Sequence, residues 1–281
     1  MSRLTDYMTK DKGTMHFVPF VTAGDPNPEV TIDLALLLQE LGASVLELGI
    51  PFSDPLADGP VIQRASLRAL KGGMTLAKAM EIVPEMRKRG LKIPVIIFTY
   101  YNLLLQLGQN QFMEKAKEYE IDGLLVPDLP FEESEALRAA CRANELALIS
   151  LVAPTTSPQR LEVIGRESDG FLYCVSSLGV TGVRKTFHPN VLAFLERVRA
   201  STTLPVAVGF GISSHEQVQE IAPYCDGFVV GSAIVREIEK REVTLASNRE
   251  KAIADIKETL SQKLLLNIEG ADNVEEAAQN N

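Results

Sequence analysis

Three carboxylates, Glu47, Asp54 and Asp58, fall close together in the chain. Glu47 lies in a β-rich run, where the alternation of side chains places it on the face opposite to Leu46 and Leu48. A carboxyl group enclosed by apolar side chains has a raised pKa, and a group that titrates near neutrality can both give and take a proton. Burial alone therefore predicts an acid–base role for Glu47.

Asp54 and Asp58 lie in the loop that follows this strand, and each has two interpretations. Aspartate before proline or glycine is ordinary turn chemistry, so either residue could be a turn former. The prolines and the glycine of the loop also stiffen it, which suits a second acid–base group facing Glu47. Spacing alone leaves the two aspartates equivalent. Asp128, which ends a later strand between prolines, is predicted to have a structural or supporting role.

Three glycine-bearing turns late in the chain are candidates for an anion site. They occupy residues 178–182, 209–213 and 230–233, and each follows an apolar strand candidate. Glycine lets backbone N–H groups approach an anion closely, and Ser232 could add a hydroxyl donor. The alternative is that these glycines only relieve crowding at strand ends. Their position after three successive strands favours a phosphate site.

Short apolar runs alternate with amphipathic stretches along most of the chain. Nearly continuous apolar runs are typical of parallel strands that are buried on both faces. The strand candidates are residues 16–22, 45–50, 95–100, 123–127, 146–153, 171–176, 205–210 and 227–231. Helical patterns occupy residues 28–41, 60–70, 76–89, 110–119, 132–143, 158–164, 189–199, 214–222 and 247–266. Asn27 and Ser157, each followed by proline, are predicted to cap helix starts, and Gly42, Gly90 and Gly165 are predicted to lie just past helix ends.

Strands that alternate with helices form either a closed barrel or an open doubly wound sheet. Eight strands is the number that closes an α/β barrel, and no Gly-x-Gly-x-x-Gly motif follows the first strand. The sequence therefore predicts a (β/α)8 TIM barrel, a parallel eight-stranded α/β fold with extra helices. It should form one domain over residues 1–268, with its functional site at the carboxyl ends of the strands. Residues 269–281 are predicted to be a disordered acidic and polar tail.

Composition disfavours several classes of function. The chain has 281 residues, enough for one large core, and its net charge of −9 repels phosphate backbones. The first ten residues lack the apolar stretch of a secretory signal, and no apolar run approaches the roughly 20 residues of a membrane helix. The three cysteines and three histidines show no metal-ligand spacing. We expect a cytoplasmic protein without a metal, a nucleic-acid partner or a membrane span.

Together these motifs resemble the tryptophan synthase alpha chain family. The most specific match is residues 46–63, Leu-Glu-Leu-Gly-Ile-Pro-Phe-Ser-Asp-Pro-Leu-Ala-Asp-Gly-Pro-Val-Ile-Gln, and further matches lie at 19–26, 179–182, 209–213 and 231–235. The resemblance implies a lyase of tryptophan biosynthesis that cleaves indole-3-glycerol phosphate to indole and glyceraldehyde 3-phosphate. It also implies an α2β2 heterotetramer with a β chain that carries pyridoxal phosphate and receives the indole, and no cofactor in this chain.

The resemblance also implies roles for individual residues. Glu47 and Asp58 become the catalytic pair, and Asp54 takes a role in communication between subunits. The positions that bind the indole and glycerol parts of the substrate are Phe20, Ile62, Tyr100, Tyr173, Thr181 and Phe210. The positions that bind phosphate are Gly182, Gly211, Gly231 and Ser232.

Two alternatives stay open at this point. A stand-alone indole-3-glycerol-phosphate lyase would keep every catalytic residue and release free indole. A non-catalytic barrel that only activates the β chain is disfavoured, because both carboxylates are present.

Overall fold

The chain folds into a closed barrel of parallel strands. The computed structural model describes residues 2–10, 13, 15–175, 189–209 and 211–265. The strands are β1 (His16–Thr22), β2 (Leu46–Gly49), β3 (Val95–Phe98), β4 (Gly123–Leu125), β5 (Ala147–Val152), β6 (Leu172–Val175), β7 (Val206–Gly209) and β8 (Gly227–Val230). Each strand pairs in parallel with the next, and β8 pairs with β1. The predicted barrel is confirmed, and the open doubly wound sheet is excluded.

Helices pack around the barrel. They are α1 (Arg3–Lys10), α2 (Pro28–Glu40), α3 (Pro60–Lys71), α4 (Leu76–Lys88), α5 (Tyr101–Leu107), α6 (Gln109–Glu118), α7 (Glu135–Ala143), α8 (Pro158–Glu167), α9 (Pro189–Ser201), α10 (His215–Ile221), α11 (Ser232–Lys240), α12 (Glu242–Ser247) and α13 (Arg249–Leu260). The sequence pattern did not predict α1, α5, α11 or α12, each of which is shorter than the roughly 11–18 residues over which helical periodicity is assessed. Within the described residues, no helix combines the length and apolar character needed to cross a bilayer.

The two faces of the strands build two separate cores. Leu46 and Leu48 pack in the layer between the barrel and its helices, whereas Val45 belongs to the cluster that fills the barrel interior. Glu47 alternates with the two leucines, so its side chain points into the barrel, and the residue is 1% exposed. The structure confirms the burial predicted for this carboxyl.

Helix α1 closes the barrel at the amino ends of the strands. Leu4 and Met8 are buried in the cluster that fills the barrel interior. The N–H of Gly170 donates to Thr5 Oγ1 at 2.8 Å, and His16 Nε2 lies 3.0 Å from the carbonyl oxygen of Met8. Burying an aliphatic side chain of this size contributes roughly 1.5–3 kcal/mol. The polar start of the chain is therefore an amphipathic helix that covers the amino-terminal end of the barrel. The opposite end, at the carboxyl ends of the strands, remains available for a functional site.

Two predicted helix starts are confirmed by their caps. Asn27 Oδ1 accepts the N–H of Val30 at 3.0 Å, at the start of α2. Ser157 Oγ accepts the N–H of Arg160 at 3.3 Å, at the start of α8. Each side chain satisfies a backbone donor that the helix itself leaves without a partner.

Gly165 lies inside α8 and not beyond its end, so the prediction that it ends the helix was wrong. A Cβ at this position would lie 2.3 Å from the carbonyl oxygen of Ser201 in α9. Glycine is needed here for close packing of two helices. Gly42 and Gly90, in contrast, have φ of 88° and 104° and end α2 and α4 as predicted. A sequence does not distinguish these two uses of glycine.

A buried glutamate ties α11 to the last helix. Glu237 is 3% exposed. Lys240, Arg241 and Lys263 place nitrogens 3.0, 2.6 and 2.8 Å from its carboxylate. Burial by itself would raise the pKa of Glu237, but the hydrogen bonds from these three cations outweigh burial and lower the pKa to about 2. Arg241 also donates to Thr259 Oγ1 of α13 at 2.7 Å.

We expect Glu237→Gln to lower the free energy of unfolding by about 1–3 kcal/mol at neutral pH, since its cationic partners are partly exposed and screened. A carboxyl whose pKa is lowered by folding stabilises the protein above its usual pKa of 4.5, and this contribution is lost as the pH falls towards 2. Urea denaturation should therefore show a smaller difference from the parent at about pH 3 than at neutral pH. Glu250→Gln, on the exposed side of α13, is the control. A difference that does not change with pH would contradict this account.

Candidate active site

Glu47 lies on the inner wall of the barrel, and its register partners on the neighbouring strands are Phe20 of β1 and Ile96 of β3. Its Oε1 is buried and has no hydrogen-bond partner within the described residues. Burial and, to a smaller extent, repulsion from Asp58 raise the pKa of Glu47 to about 8. The carboxyl is therefore mostly protonated at neutral pH and able to donate a proton.

Tyr100, at the end of β3, fixes Asp58. Its Oη donates to Asp58 Oδ2 at 3.2 Å and accepts the N–H of Ala57 at 3.0 Å. The Tyr100 ring also stacks on Phe52, with 4.9 Å between the ring centroids. Burial raises the pKa of Asp58 and the hydrogen bond from Tyr100 lowers it, with a net value of about 6. At neutral pH Asp58 is thus mostly ionised, while Glu47 is mostly protonated.

Tyr173, on β6, faces the two carboxyl groups from the opposite side of the barrel. It is 4% exposed, and its pKa is raised well above the usual value by burial and then by the charges of Glu47 and Asp58. A Cβ at Gly209 would lie 2.3 Å from Tyr173 Oη. The glycine on β7 is therefore what leaves room for the tyrosine ring.

Apolar side chains line the same space. The Phe20 ring meets Phe98 edge to face, with 5.7 Å between the centroids. It also lies against Gly49, where a Cβ would be 2.2 Å from the ring. Ile62, in the first turn of α3, packs with the cluster that contains both phenylalanines. Aromatic rings beside a few convergent polar groups are typical of a site for a planar, largely apolar ligand.

The predicted anion-binding turn 230–233 lies within the described residues, and the turn 209–213 does so except for residue 210, whereas the turn 178–182 lies outside them. Gly231 and Ser232 open α11, where backbone N–H groups and the helix dipole favour a negative charge. Gly211 has a φ of 91°. Gln217 braces its turn, since Gln217 Oε1 accepts the N–H of Ser213 at 2.8 Å and Nε2 donates to the carbonyl of Gly211 at 3.3 Å. Together these features suit a phosphate group.

Comparison with protein-family models identifies the known proteins to which this chain is similar. The model described as "Tryptophan synthase alpha chain" matches residues 7–265. The chain belongs to the tryptophan synthase alpha chain family. This membership makes it a lyase of tryptophan biosynthesis.

Relatives and solved structures agree with the family model. The alpha chain of Shouchella clausii is 62% identical over 255 residues, which are 90% of this chain and 94% of that protein. The alpha chain of Bacillus subtilis is 55% identical over 244 residues, 86% of this chain and 91% of that one. The Legionella pneumophila alpha subunit structure has a TM-score of 0.83 at 35% identity and covers 98% of this chain and 100% of its own. A chain of the Pyrococcus furiosus α2β2 complex has a TM-score of 0.78 at 36% identity, and the match covers 89% of this chain and 97% of that one.

Asp54 and Asp128 of this alpha chain lie outside the enclosed space. Asp54 is exposed, and its Oδ2 accepts a hydrogen bond from Ser53 Oγ at 2.6 Å. Asp128 Oδ1 accepts the N–H of Tyr101 at 2.9 Å, so it supports the start of α5 and agrees with its predicted structural role. Three predicted site residues lie outside the described residues, namely Thr181, Gly182 and Phe210.

Sequence reasoning missed two aromatic residues of the alpha chain site. Phe98 occupies an inward-facing position, and the alternation that located Glu47 would have found it. Phe52 carries no comparable signal, because its stacking on Tyr100 joins two separate loops. Spacing along the chain does not report such a contact.

Proposed function

We propose that this chain, as the alpha subunit of a tryptophan synthase, cleaves indole-3-glycerol phosphate to indole and glyceraldehyde 3-phosphate. One observation carries the proposal: two carboxyl groups in one largely apolar enclosure hold opposite protonation states at neutral pH, as their pKa values of about 8 and about 6 require. Environments that push the pKa values of two acids apart separate a proton donor from a charge stabiliser.

The chemistry assigns one role to each acid. Glu47 donates its proton to indole C3, and the positive charge that develops on the ring nitrogen is stabilised by ionised Asp58, which accepts a hydrogen bond from the ring N–H. Glu47, now ionised, takes the proton of the hydroxyl on the carbon attached to C3. That carbon becomes the aldehyde as its bond to C3 breaks, and the electron pair of this bond neutralises the ring nitrogen. Proton transfer of this kind contributes roughly 10²–10⁴-fold, and electrostatic stabilisation and positioning supply the rest.

The remaining predicted residues bind the substrate. Tyr100 and Tyr173 would orient the indole and glycerol parts together with Phe20, Ile62, Thr181 and Phe210. The phosphate would lie against backbone N–H groups of Gly182, Gly211 and Gly231 and the hydroxyl of Ser232. Each step of the cleavage is a proton transfer or an electron shift within the substrate. We therefore propose that this chain uses no cofactor of its own.

The proposal includes a β chain partner that carries pyridoxal phosphate. The similar Pyrococcus furiosus structure is described as an α2β2 complex with mutual activation. In the present chain Leu56, in the loop between Pro51 and Gly59, is 95% exposed and lies close to Asp54. An exposed apolar side chain of this kind suits a contact surface for a partner. Asp54 would then communicate between the subunits. The proposal also includes a cytoplasmic location, which the three buried, unpaired cysteines support.

Indole release by the purified chain, measured with and without a tryptophan synthase β chain, tests the proposal. We expect cleavage of indole-3-glycerol phosphate by the chain alone and faster cleavage in the complex. Unchanged indole production on adding the β chain would leave a stand-alone lyase as the function. Absence of cleavage under both conditions would overturn the proposed reaction.

Removal of the Tyr100 hydroxyl should change the pH dependence of the reaction. With ionised Asp58 and protonated Glu47 required, kcat/KM should fall below about pH 6 and above about pH 8. Tyr100→Phe removes a hydrogen bond that lowers the pKa of Asp58, so the lower limit should move upward by about half to one pH unit. Tyr101→Phe, at the adjacent position, is the control. A lower kcat/KM at every pH, with both apparent pKa values of the profile unchanged, would contradict this role of Tyr100.

A further inference from the structure

The hydroxyl of Thr22 is buried and has no partner. Thr22 ends β1 and is 2% exposed, and its Oγ1 makes no hydrogen bond within the described residues. Burying a hydroxyl without a partner destabilises a fold, and the great majority of buried polar groups are therefore paired. Valine has nearly the same shape and would avoid this penalty. The hydroxyl is thus suited to a partner that the chain itself does not supply.

The side chain of Thr22 faces the inside of the barrel. Phe17 and Val21 of β1 pack in the outer layer, whereas Val18 and Phe20 belong to the interior cluster. Thr22 continues the inward-facing series and lies one step beyond Phe20, nearer the carboxyl end of the strand. This is the end of the barrel where the substrate enters.

Thr22 belongs to the strand that lies between the strand of Glu47 and the strand that leads to Gly231. It is paired with Gly49 of β2, while Phe20, one inward step below, is paired with Glu47. On the other side of β1, a Cβ at Gly231 would lie 3.4 Å from Phe20 Cβ. Phe20 therefore lies in one row with Glu47 and Gly231, and Thr22 lies on the same strand, one inward step nearer the carboxyl end.

The side chain of indole-3-glycerol phosphate would run from the carbon on which Glu47 acts to the phosphate turn at Gly231, so it would cross the strand that carries Thr22. Its first carbon bears the hydroxyl that Glu47 deprotonates, the second bears another hydroxyl, and the third bears the phosphate. On the basis of the proposed function, we propose that Thr22 is a substrate-binding residue whose hydroxyl hydrogen-bonds this second hydroxyl. A site that pairs a substrate hydroxyl discriminates strongly against an analogue without it.

The end of β1 is held in place by a network of ion pairs. The carbonyl of Thr22 accepts the N–H of Asp25 at 3.2 Å. Asp25 is 1% exposed and accepts two hydrogen bonds from Arg68 of α3, at 2.7 and 2.9 Å. Arg68 also donates to Glu239 of α11 at 3.2 Å. The network joins the loop after β1 to the helix that opens at the phosphate turn, so the hydroxyl is positioned before the substrate arrives.

A double-mutant cycle between protein and substrate tests the assignment. The two substrates are indole-3-glycerol phosphate and its analogue without the second hydroxyl, and the two proteins are the parent and Thr22→Val. We expect the parent to lose about tenfold in kcat/KM on the analogue, and Thr22→Val to lose about tenfold on the full substrate. Thr22→Val should distinguish the two substrates little, whereas Thr22→Ser should behave like the parent.

Thermal unfolding separates this role from a structural one. Thr22→Val should unfold at the parent temperature or above, because an unsatisfied hydroxyl is replaced by a methyl group. Should the valine variant not fold, Thr22→Ala is compared with Thr22→Ser on the same two substrates. Equal losses on both substrates, or no loss on either, would overturn the role of Thr22. A parent protein that does not cleave indole-3-glycerol phosphate at all would instead overturn the proposed function on which it rests.

Discussion

Glu47→Gln is expected to lower kcat for the cleavage of indole-3-glycerol phosphate by roughly 10²–10⁴-fold. The amide keeps the shape of the side chain but can neither donate a proton to C3 nor take one from the hydroxyl. Because the substrate contacts of the pocket are otherwise kept, KM should change much less than kcat. Steady-state indole release at neutral pH measures both quantities.

The stability of the same variant provides the control for folding. Folding raises the pKa of Glu47 from 4.5 to about 8, so the folded chain holds more protons than the unfolded chain between these values. Stability of the parent therefore falls as the pH rises through this range, by an amount on the order of a few kcal/mol. Glu47→Gln lacks this loss and should melt above the parent at about pH 9 and close to it at about pH 5. A variant that is folded and retains full cleavage activity would contradict the catalytic role of Glu47.

Asp58→Asn is expected to lower kcat/KM by roughly 10²–10³-fold, as for other groups that stabilise developing charge. The amide keeps the shape but removes the negative charge beside the ring nitrogen, so the cationic intermediate is destabilised. The residual rate should also lose its decline below about pH 6, since that limit reflects protonation of Asp58. A pH profile of indole release over this range measures both effects.

Asp54→Asn is the matched control for this substitution. Asp54 belongs to the same loop, but it is exposed and its carboxylate accepts a hydrogen bond from the neighbouring Ser53. The isolated chain should therefore keep its activity when Asp54 is replaced, whereas activation by the β chain should weaken. Equal losses from the two substitutions in the isolated chain would contradict the assignment of Asp58 to the reaction.

The barrel and the burial of Glu47 could be predicted from the sequence because both depend on local periodicity. Apolar runs of strand length between amphipathic stretches predict parallel strands, and alternation along Val45, Leu46 and Glu47 predicts an inward carboxyl. Tyr173, on the inner wall of β6, was named by the resemblance and not by this rule. Helix α1 escaped prediction because it is only eight residues long, shorter than the roughly 11–18 residues over which helical periodicity is assessed.

Spacing left Asp54 and Asp58 equivalent, since both residues have the sequence of turn formers, and the resemblance favoured Asp58. The tertiary structure adds a physical difference between them. The Tyr100 hydroxyl, 42 positions along the chain, reaches Asp58 and not Asp54. The substrate class came from the resemblance, because an acid–base pair by itself does not name a substrate. The closed barrel also places the strand of Thr22 between the strand of Glu47 and the strand that leads to the phosphate turn at Gly231, and no spacing along the chain indicates this. The side chains that face inward can be predicted from the sequence, because alternation is a property of a single strand. Which of these side chains come into contact depends on the closed barrel, because it brings distant strands to one rim.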